Sequence, residues 1–173
     1  LRPGSLLIDM GTTSVLKTRA FATKLEMSGS EWVDAPVSGG TTAAESGTLT
    51  IMVGGSDQAF QQALPWLQIL GERITHVGDT GAGQIAKSAN QMIVGLTIAA
   101  VAEAFTLANA NGVEPEKIRE ALFGGFAHSR ILELHGERMI NKDFQARAKC
   151  SIQRKDIKAV SYTHLTLPTR CLV

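Results

Sequence analysis

Cysteine is scarce in this chain and neither sign of charge is in excess, and each of these two features excludes a class of protein. Only 2 of the 173 residues are cysteines, and Cys150 and Cys171 fit neither a disulfide framework nor the spacing of metal ligands. Basic and acidic residues number 17 and 16, so the composition predicts no basic face for a phosphate backbone. We therefore expect a cytoplasmic protein that binds neither metal nor nucleic acid.

Targeting signals and long hydrophobic runs are also missing. The start, Leu1 to Gly4, does not have the basic residues and apolar core of a signal peptide. The most apolar stretch, Ser88 to Ala102, is shorter than the roughly 20 residues of a bilayer crossing, and Asn90 and Gln91 lie within it. A buried core helix explains this stretch more simply, so we expect no membrane partner.

The first part of the chain alternates strand and helix signals. Ser14 and Ser56 can each cap a helix that separates two apolar runs. Strands separated by helices predict an α/β layer with a largely parallel sheet. The predicted strands are Leu6 to Ile8, Trp32-Val33, Thr48 to Val53 and Ile74 to Val77.

Strand signals stop after Gly78, and the rest of the chain is predicted to be helical. From about Gly81 to Asn111 the sequence is typical of one long helix, for which Asp79 or Thr80 can supply the N-cap. Further helices are predicted at Pro115 to Phe123, at His128 to Ile140 and from about Ser151.

These patterns divide the chain into three parts. Residues 1–79 form the α/β part, and residues 80–160 form an all-helical part built on the long helix. Residues 161–173 are rich in Thr, contain Pro168 and break the helical pattern. We interpret this last segment as a non-native read-through tail and exclude it from the fold.

The first candidate site is the run Asp34-Ala35-Pro36-Val37-Ser38-Gly39-Gly40, which follows the second predicted strand. Ser38 offers a hydroxyl, and Gly39 and Gly40 offer backbone N–H groups that no Cβ obstructs. Successive N–H groups in such a turn form a concavity for anions, which suits a substrate carboxylate. The alternative is an ordinary surface turn rich in Ser and Gly.

The second candidate site lies near the start of the long helix. Lys87, Asn90 and Gln91 stand at i, i+3 and i+4, so they project from one face and can grip a polar substrate. A lysine whose pKa is lowered by burial and by the helix N-terminus is also a candidate proton donor. The alternative is a solvated helix end that carries a lysine for solubility.

Two weaker candidates complete the set. Gly11-Thr12-Thr13 follows the first strand, at the carboxyl end where open α/β sheets bind ligands. Lys155-Asp156 lies on the last helix, and a charged pair in such a place most often belongs to a solvent-exposed helix face. The four histidines do not show metal-ligand spacing.

Five motifs, taken in order, resemble the β-hydroxyacid dehydrogenase family. The resemblance covers about residues 1–159, nearly the whole chain. It implies an α/β fold consisting of the C-terminal part of a Rossmann-type nucleotide-binding domain, followed by a truncated all-α domain. The motifs are Asp9 to Thr12, Asp34 to Gly40, Gly47 to Gly55, Gly81 to Gln91 and Lys155-Asp156.

The resemblance also implies a reaction and roles for residues. The family uses NAD or NADP to act on short acids with a hydroxyl or carbonyl β to the carboxylate. By analogy Lys87 is catalytic, Asn90 orients it, and Gln91 is a neighbour. Ser38, Gly39 and Gly40 hold the substrate carboxylate, and Thr12 and Lys155 touch the nicotinamide cofactor.

The resemblance favours one substrate over another, and one alternative function remains. Asn90-Gln91 and the run Ala121 to Ile140 favour reduction of tartronate semialdehyde over oxidation of 3-hydroxyisobutyrate. The family opens with a glycine-rich pyrophosphate loop that this chain does not contain, so we expect an inactive internal fragment of a homodimeric or homotetrameric parent. The rival is a non-catalytic oligomerisation module, which would be expected to lack Lys87.

Overall fold

The computed structural model describes residues 1–145 and 150–161, with side chains as far as Asp156. Two compact units form: a sheet unit of Leu1–Asn90 plus the segment that begins at Cys150, and a helical unit, Gln91–Lys149. The elements are, in order, β1 (Leu6–Asp9), α1 (Val15–Glu26), β2 (Glu31–Asp34), β3 (Val37–Ser38), α2 (Gly40–Glu45), β4 (Leu49–Gly54), α3 (Asp57–Leu70), β5 (Gly71–Gly78), α4 (Ala82–Ala110), α5 (Pro115–Leu122), α6 (Arg130–Ile140) and α7 (Cys150–Ser161).

The sheet is mixed, whereas the sequence predicted a largely parallel one. Its order is β1-β2-β4-β3, and β5 also pairs with β4. The β1/β2 and β4/β5 pairs are parallel, but β2/β4 and β3/β4 are antiparallel. The chain reverses direction between β2 and β4, so both β2 and β3 run antiparallel to β4. β3 has only two residues, too few to leave a period-2 pattern in the sequence, and it was therefore missed together with α2.

The predicted helix caps of the sheet unit are confirmed. Ser14 Oγ accepts the Lys17 N–H at 3.4 Å, and Ser56 Oγ accepts the Ala59 N–H at 3.1 Å, so one orphan donor is satisfied at the start of α1 and of α3.

The apolar residues of α3 recur at helical spacing, so one face of this helix packs against the sheet. The core consists of Val33, Ala35, Leu49, Ile51 and Val53 from the β2–β4 region, with Ala59, Ala63 and Leu67 from α3.

The start of α4 differs from the prediction. Asp79 accepts the Ala82 N–H through its main-chain carbonyl at 2.9 Å, but no capping hydrogen bond is recorded for its side chain or that of Thr80 in the described part of the chain. A carboxylate from β2 serves instead: Asp34 Oδ1 accepts the Gly81 N–H at 2.7 Å, and Asp34 Oδ2 accepts the Gln84 N–H at 2.9 Å. The cap is remote in sequence, so a local reading could not find it.

Gly83 lets α4 approach the sheet closely. A Cβ at this position would lie 2.6 Å from the Asp34 main-chain oxygen, and it would also collide with the carbonyl of Met52. Both contacts are to backbone, which cannot move aside as a flexible side chain can. The depth at which α4 sits on the sheet is therefore fixed by the absence of a side chain.

The helical unit contains most of α4, with α5 and α6. Its core is Val101, Phe105 and Leu132. Arg119 joins α5 to α6 by donating to the main-chain oxygens of Leu132 at 3.2 Å and Glu133 at 2.8 Å. The charged group thus satisfies carbonyls on a neighbouring helix while its stem covers apolar surface.

α4 remains largely uncovered within the chain. It has 29 residues, and its most apolar window has a mean hydropathy of 1.7, with 17% of that window buried. By length and composition alone it could cross a membrane. The prediction of a buried core helix for Ser88 to Ala102 is wrong for the described structure, because little of this window is buried. Among its exposed apolar residues are Ile93 and Leu96, at 67% and 70% exposure.

The predicted boundaries and the compact units do not coincide. The change from strand to helix falls near residue 79, as the sequence suggests, but the division between units falls after Asn90, inside α4. The first turns of α4 belong to the sheet unit because the Asp34 cap holds them there. The predicted tail, 161–173, lies outside the described residues apart from Ser161, the last residue of α7.

Replacing Gly83 by Ala should lower the free energy of unfolding of this chain by about 1 to 3 kcal/mol, because the added methyl overpacks a backbone contact. Urea denaturation followed by circular dichroism measures the change. Gly124→Ala is the matched control, since nothing lies within 4 Å of a Cβ there. Equal stability losses for the two variants would contradict the close approach.

Candidate active site

Lys87 is a buried lysine in the second turn of α4. Its exposure is 9%, and lysines are rarely buried without a partner. Burial lowers the pKa of Lys87 from its usual 10.5, the negative charge of Asp156 raises it again, and the positive charge of Lys155 lowers it further. An ammonium in such surroundings gives up its proton more readily than an exposed lysine does. Lys87 therefore has the surroundings of a proton donor.

The Lys155-Asp156 pair belongs to the same site. Asp156 is 2% exposed, and its Oδ1 lies 2.8 Å from Lys155 Nζ. The same Lys155 Nζ donates to the main-chain oxygen of Thr12 at 2.7 Å. The expectation of a solvated charged face is wrong for Asp156, because α7 turns this carboxylate inward to the two lysines.

The Gly11-Thr12-Thr13 loop is held by a residue that the sequence analysis missed. Gln84 is fully buried; its Oε1 accepts the Thr13 N–H at 3.0 Å, and its Nε2 donates to the Gly11 oxygen at 2.8 Å. One signal could have indicated it: Gln84 lies three residues before Lys87, on the same helix face. The structure thus brings Thr12, Lys155, Asp156 and Lys87 into one region of the sheet unit.

Asp34 is the second residue whose role was missed. It is fully buried and has no exposed surface. Burial raises the pKa of its carboxyl, and the hydrogen bonds from the Gly81 and Gln84 N–H groups oppose that rise. Asp34 thus orients the first turn of the helix that carries Lys87. The sequence analysis quoted it only as the start of a motif.

The Ser38-Gly39-Gly40 turn occupies the end of β3 and the start of α2. Ser38 pairs with Thr50 in the antiparallel register. Gly39 and Gly40 have φ angles of +135° and +69°, which favour glycine, and both are exposed. The turn therefore presents main chain to solvent. Its pairing with Lys87 in one substrate site stays a prediction.

Asn90 and Gln91 lie on the turn of α4 that follows Lys87. Asn90 is the last residue of that helix assigned to the sheet unit, and Gln91 begins the helical unit. Gln91 is 9% exposed. Their roles in orienting Lys87 and substrate stay predictions.

No cluster of three potential metal ligands occurs among residues 1–145 and 150–156.

Two protein-family models match consecutive stretches of the chain, and the matches meet near residue 79. Residues 1–78 match the NAD binding domain of 6-phosphogluconate dehydrogenase. Residues 81–166 match a family described as the NAD-binding domain of NADP-dependent 3-hydroxyisobutyrate dehydrogenase. The second match includes all of α4, so the long apolar helix lies within the region that this family model describes.

Individual relatives are similar over nearly the whole chain. The 2-hydroxy-3-oxopropionate reductase of Escherichia coli K12 is 47% identical over 154 residues, covering 89% of this chain and 53% of the relative. The 2-(hydroxymethyl)glutarate dehydrogenase of Eubacterium barkeri is 39% identical, covering 90% and 52%. The chain thus spans about half the length of these relatives.

A solved structure supports the fold. The 3-hydroxyisobutyrate dehydrogenase of Mycobacterium tuberculosis, determined with L-serine, superposes with a TM-score of 0.86 at 33% identity. The match covers 96% of this chain and 61% of that one. The predicted fold class, an α/β Rossmann-type part followed by a helical part, is confirmed.

Asp34→Asn should destabilise the chain by about 1 to 3 kcal/mol at pH 7, because the amide can accept only one of the two N–H donors and turns its own NH₂ toward the other. Chemical denaturation measures the loss. Asp79→Asn, an exposed aspartate beside the same helix start, is the control and should change stability by less than about 0.5 kcal/mol. An unaffected Asp34→Asn protein would contradict the capping role.

Proposed function

Because this chain belongs to the β-hydroxyacid dehydrogenase family, we propose that the whole protein is an NAD(P)-dependent oxidoreductase that interconverts a short β-hydroxy acid and its semialdehyde. The observation that carries the proposal is the ammonium of Lys87. It is buried, its pKa is lowered, and Asp156 lies close enough to act on it. A non-catalytic helix would gain nothing from a buried charge, which costs free energy to desolvate.

The substrate that we favour is tartronate semialdehyde, which is 2-hydroxy-3-oxopropionate, reduced to glycerate. The support is the 47% identity to a 2-hydroxy-3-oxopropionate reductase together with the sequence of Asn90-Gln91 and of residues 121–140. The second candidate is 3-hydroxyisobutyrate, because a 3-hydroxyisobutyrate dehydrogenase of Pseudomonas aeruginosa is 42% identical over 117 residues.

Lys87 holds the proton that the reduction needs. When the carbonyl carbon accepts a hydride, negative charge develops on its oxygen, and a cation aimed at that oxygen stabilises it and delivers a proton. We assign the substrate carboxylate to Ser38, Gly39 and Gly40, and we assign the orientation of Lys87 to Asn90, with Gln91 as neighbour.

The residues around Thr12 fit a nicotinamide cofactor, NAD or NADP, which supplies or accepts the hydride when bound. The Thr12 loop follows β1 at the carboxyl end of that strand, where open α/β sheets bind ligands. Lys155 lies against this loop, with its ammonium 2.7 Å from the Thr12 oxygen. We therefore assign Thr12 and Lys155 to cofactor binding.

The exposed apolar face of α4 supports an oligomer. Ile93 and Leu96 are mostly exposed in the isolated chain, and burying such surface against another subunit or another part of the protein is favourable. We propose a homodimer or homotetramer in the cytoplasm, with a small carboxylate as ligand.

The rival function is a helical module that only oligomerises. It predicts that the whole protein shows no turnover on any short semialdehyde. Our proposal predicts turnover. A panel of tartronate semialdehyde, succinic semialdehyde and 3-hydroxyisobutyrate, tested with both nicotinamide cofactors on the complete reading frame, separates the two functions.

Lys87→Met should lower kcat for reduction at least about 100-fold, because it removes the general acid. Lys117→Met is the control, since the Lys117 side chain on α5 is 74% exposed. The kcat of this variant should stay within about two-fold of the wild-type value. A Lys87→Met enzyme with normal kcat would refute the catalytic assignment.

The pH profile tests the same group. Reduction uses the protonated amine, so kcat should be highest below the pKa of Lys87 and should fall as pH rises through it. Burial lowers that pKa, so the fall should begin clearly below 10.5. Steady-state rates between pH 6 and about 10 measure the profile. A profile without any decline up to that pH would exclude Lys87 as the proton donor.

A further inference from the structure

Gln84 uses its side chain to bind the main chain on both sides of one residue. Its Oε1 accepts the N–H of Thr13 at 3.0 Å, and its Nε2 donates to the carbonyl of Gly11 at 2.8 Å. Thr12 lies between these two groups. The side chain has no exposed surface, so water does not replace these bonds if they are lost.

A carboxamide fits this arrangement at neutral pH. It offers a donor and an acceptor in one rigid plane, and the loop presents one acceptor and one donor to it. An ionised carboxylate would turn a second acceptor toward the Gly11 oxygen. An apolar side chain of equal length would leave both main-chain groups without a partner in a buried place.

The clamp connects two parts of the candidate active site. Gln84 and Lys87 are three residues apart on α4, so they lie on one face of the helix, one turn apart. Lys155 holds the same loop from α7, through the Thr12 oxygen at 2.7 Å. The loop is thus fixed to α4 on one side and to α7 on the other.

We propose that Gln84 is a positioning residue, which clamps the Gly11–Thr13 loop to the helix turn before Lys87 and so sets the distance between the cofactor loop and the proton donor. The kinetic consequences rest on the proposed function, whereas the clamp itself does not. Gln84 acts through Thr12 and Lys87, since it has no exposed surface of its own with which to touch substrate or cofactor.

Kinetics of the complete protein test the consequence. Gln84→Met should raise the KM for the nicotinamide cofactor about ten-fold and lower kcat about ten-fold, the effect of losing one to two buried hydrogen bonds. The KM for the semialdehyde should stay within about two-fold, because the Ser38–Gly40 turn lies on other elements. A merely structural defect would lower the amount of active enzyme and move neither KM. Gln62→Met, on the exposed side of α3, is the matched control.

Amide hydrogen exchange of the present chain tests the clamp without any activity. In Gln84→Met the Thr13 N–H should lose its protection by about ten-fold or more, since it has lost its acceptor. The Gly81 N–H, bound to Asp34, should keep its protection. Unchanged protection at Thr13 would overturn the proposal. If the wild-type enzyme lacks turnover, the proposed function fails, but this experiment still decides the clamp.

Gln84→Glu provides the second variant in case Gln84→Met does not fold. A protonated carboxyl again offers one donor and one acceptor, whereas an ionised one can still accept the Thr13 N–H but sets a second acceptor against the Gly11 oxygen and so pushes the side chain out of the clamp. Protection of Thr13 should therefore be lower at pH 8 than at pH 5, after correction for intrinsic exchange. Asp34 and Asp9, which accept from the Gln84 and Gly11 N–H groups, are present in the wild type as well, whose profile is the baseline. A variant profile that matches the wild type at both pH values would overturn the proposal.

Discussion

The buried carboxylate of Asp34 is the interaction on which the candidate active site depends. It joins the end of β2 to the start of α4 by two main-chain hydrogen bonds. Gln84 and Lys87, which lie on the first turns of α4 within the sheet unit, are positioned by this cap. The arrangement is costly, because burial raises the pKa of the carboxyl, and it persists because helix N–H groups and their positive end favour a negative charge.

Two buried carboxylates in the sheet unit interact with different kinds of group. Asp34 accepts hydrogen bonds from main-chain N–H groups, whereas Asp156 interacts electrostatically with the ammonium groups of Lys87 and Lys155. A lysine surrounded only by apolar groups would become neutral, and one in water would keep its proton too firmly. Burial lowers the pKa of Lys87 and Asp156 raises it, so the pKa of Lys87 lies between these two limits.

The periodicity of apolar residues predicted most of the helices and strands. Contacts between residues far apart in the sequence could not be predicted in this way. The four longer strands and the caps at Ser14 and Ser56 follow from local patterns. Residues such as Lys87 could be named from spacing and family resemblance, but the Asp34 cap and the Gln84 clamp join residues 47 to 73 positions apart. Nothing local distinguishes such side chains from ordinary helix and strand residues until the chain has folded.

The close approach at Gly83 has a consequence for sequence variation along α4. Main-chain contacts with Asp34 and Met52 set the depth of α4 on the sheet, so that depth does not respond to changes elsewhere on the helix. A single side-chain exchange farther along α4 is therefore expected to leave Lys87 at the same distance from the sheet.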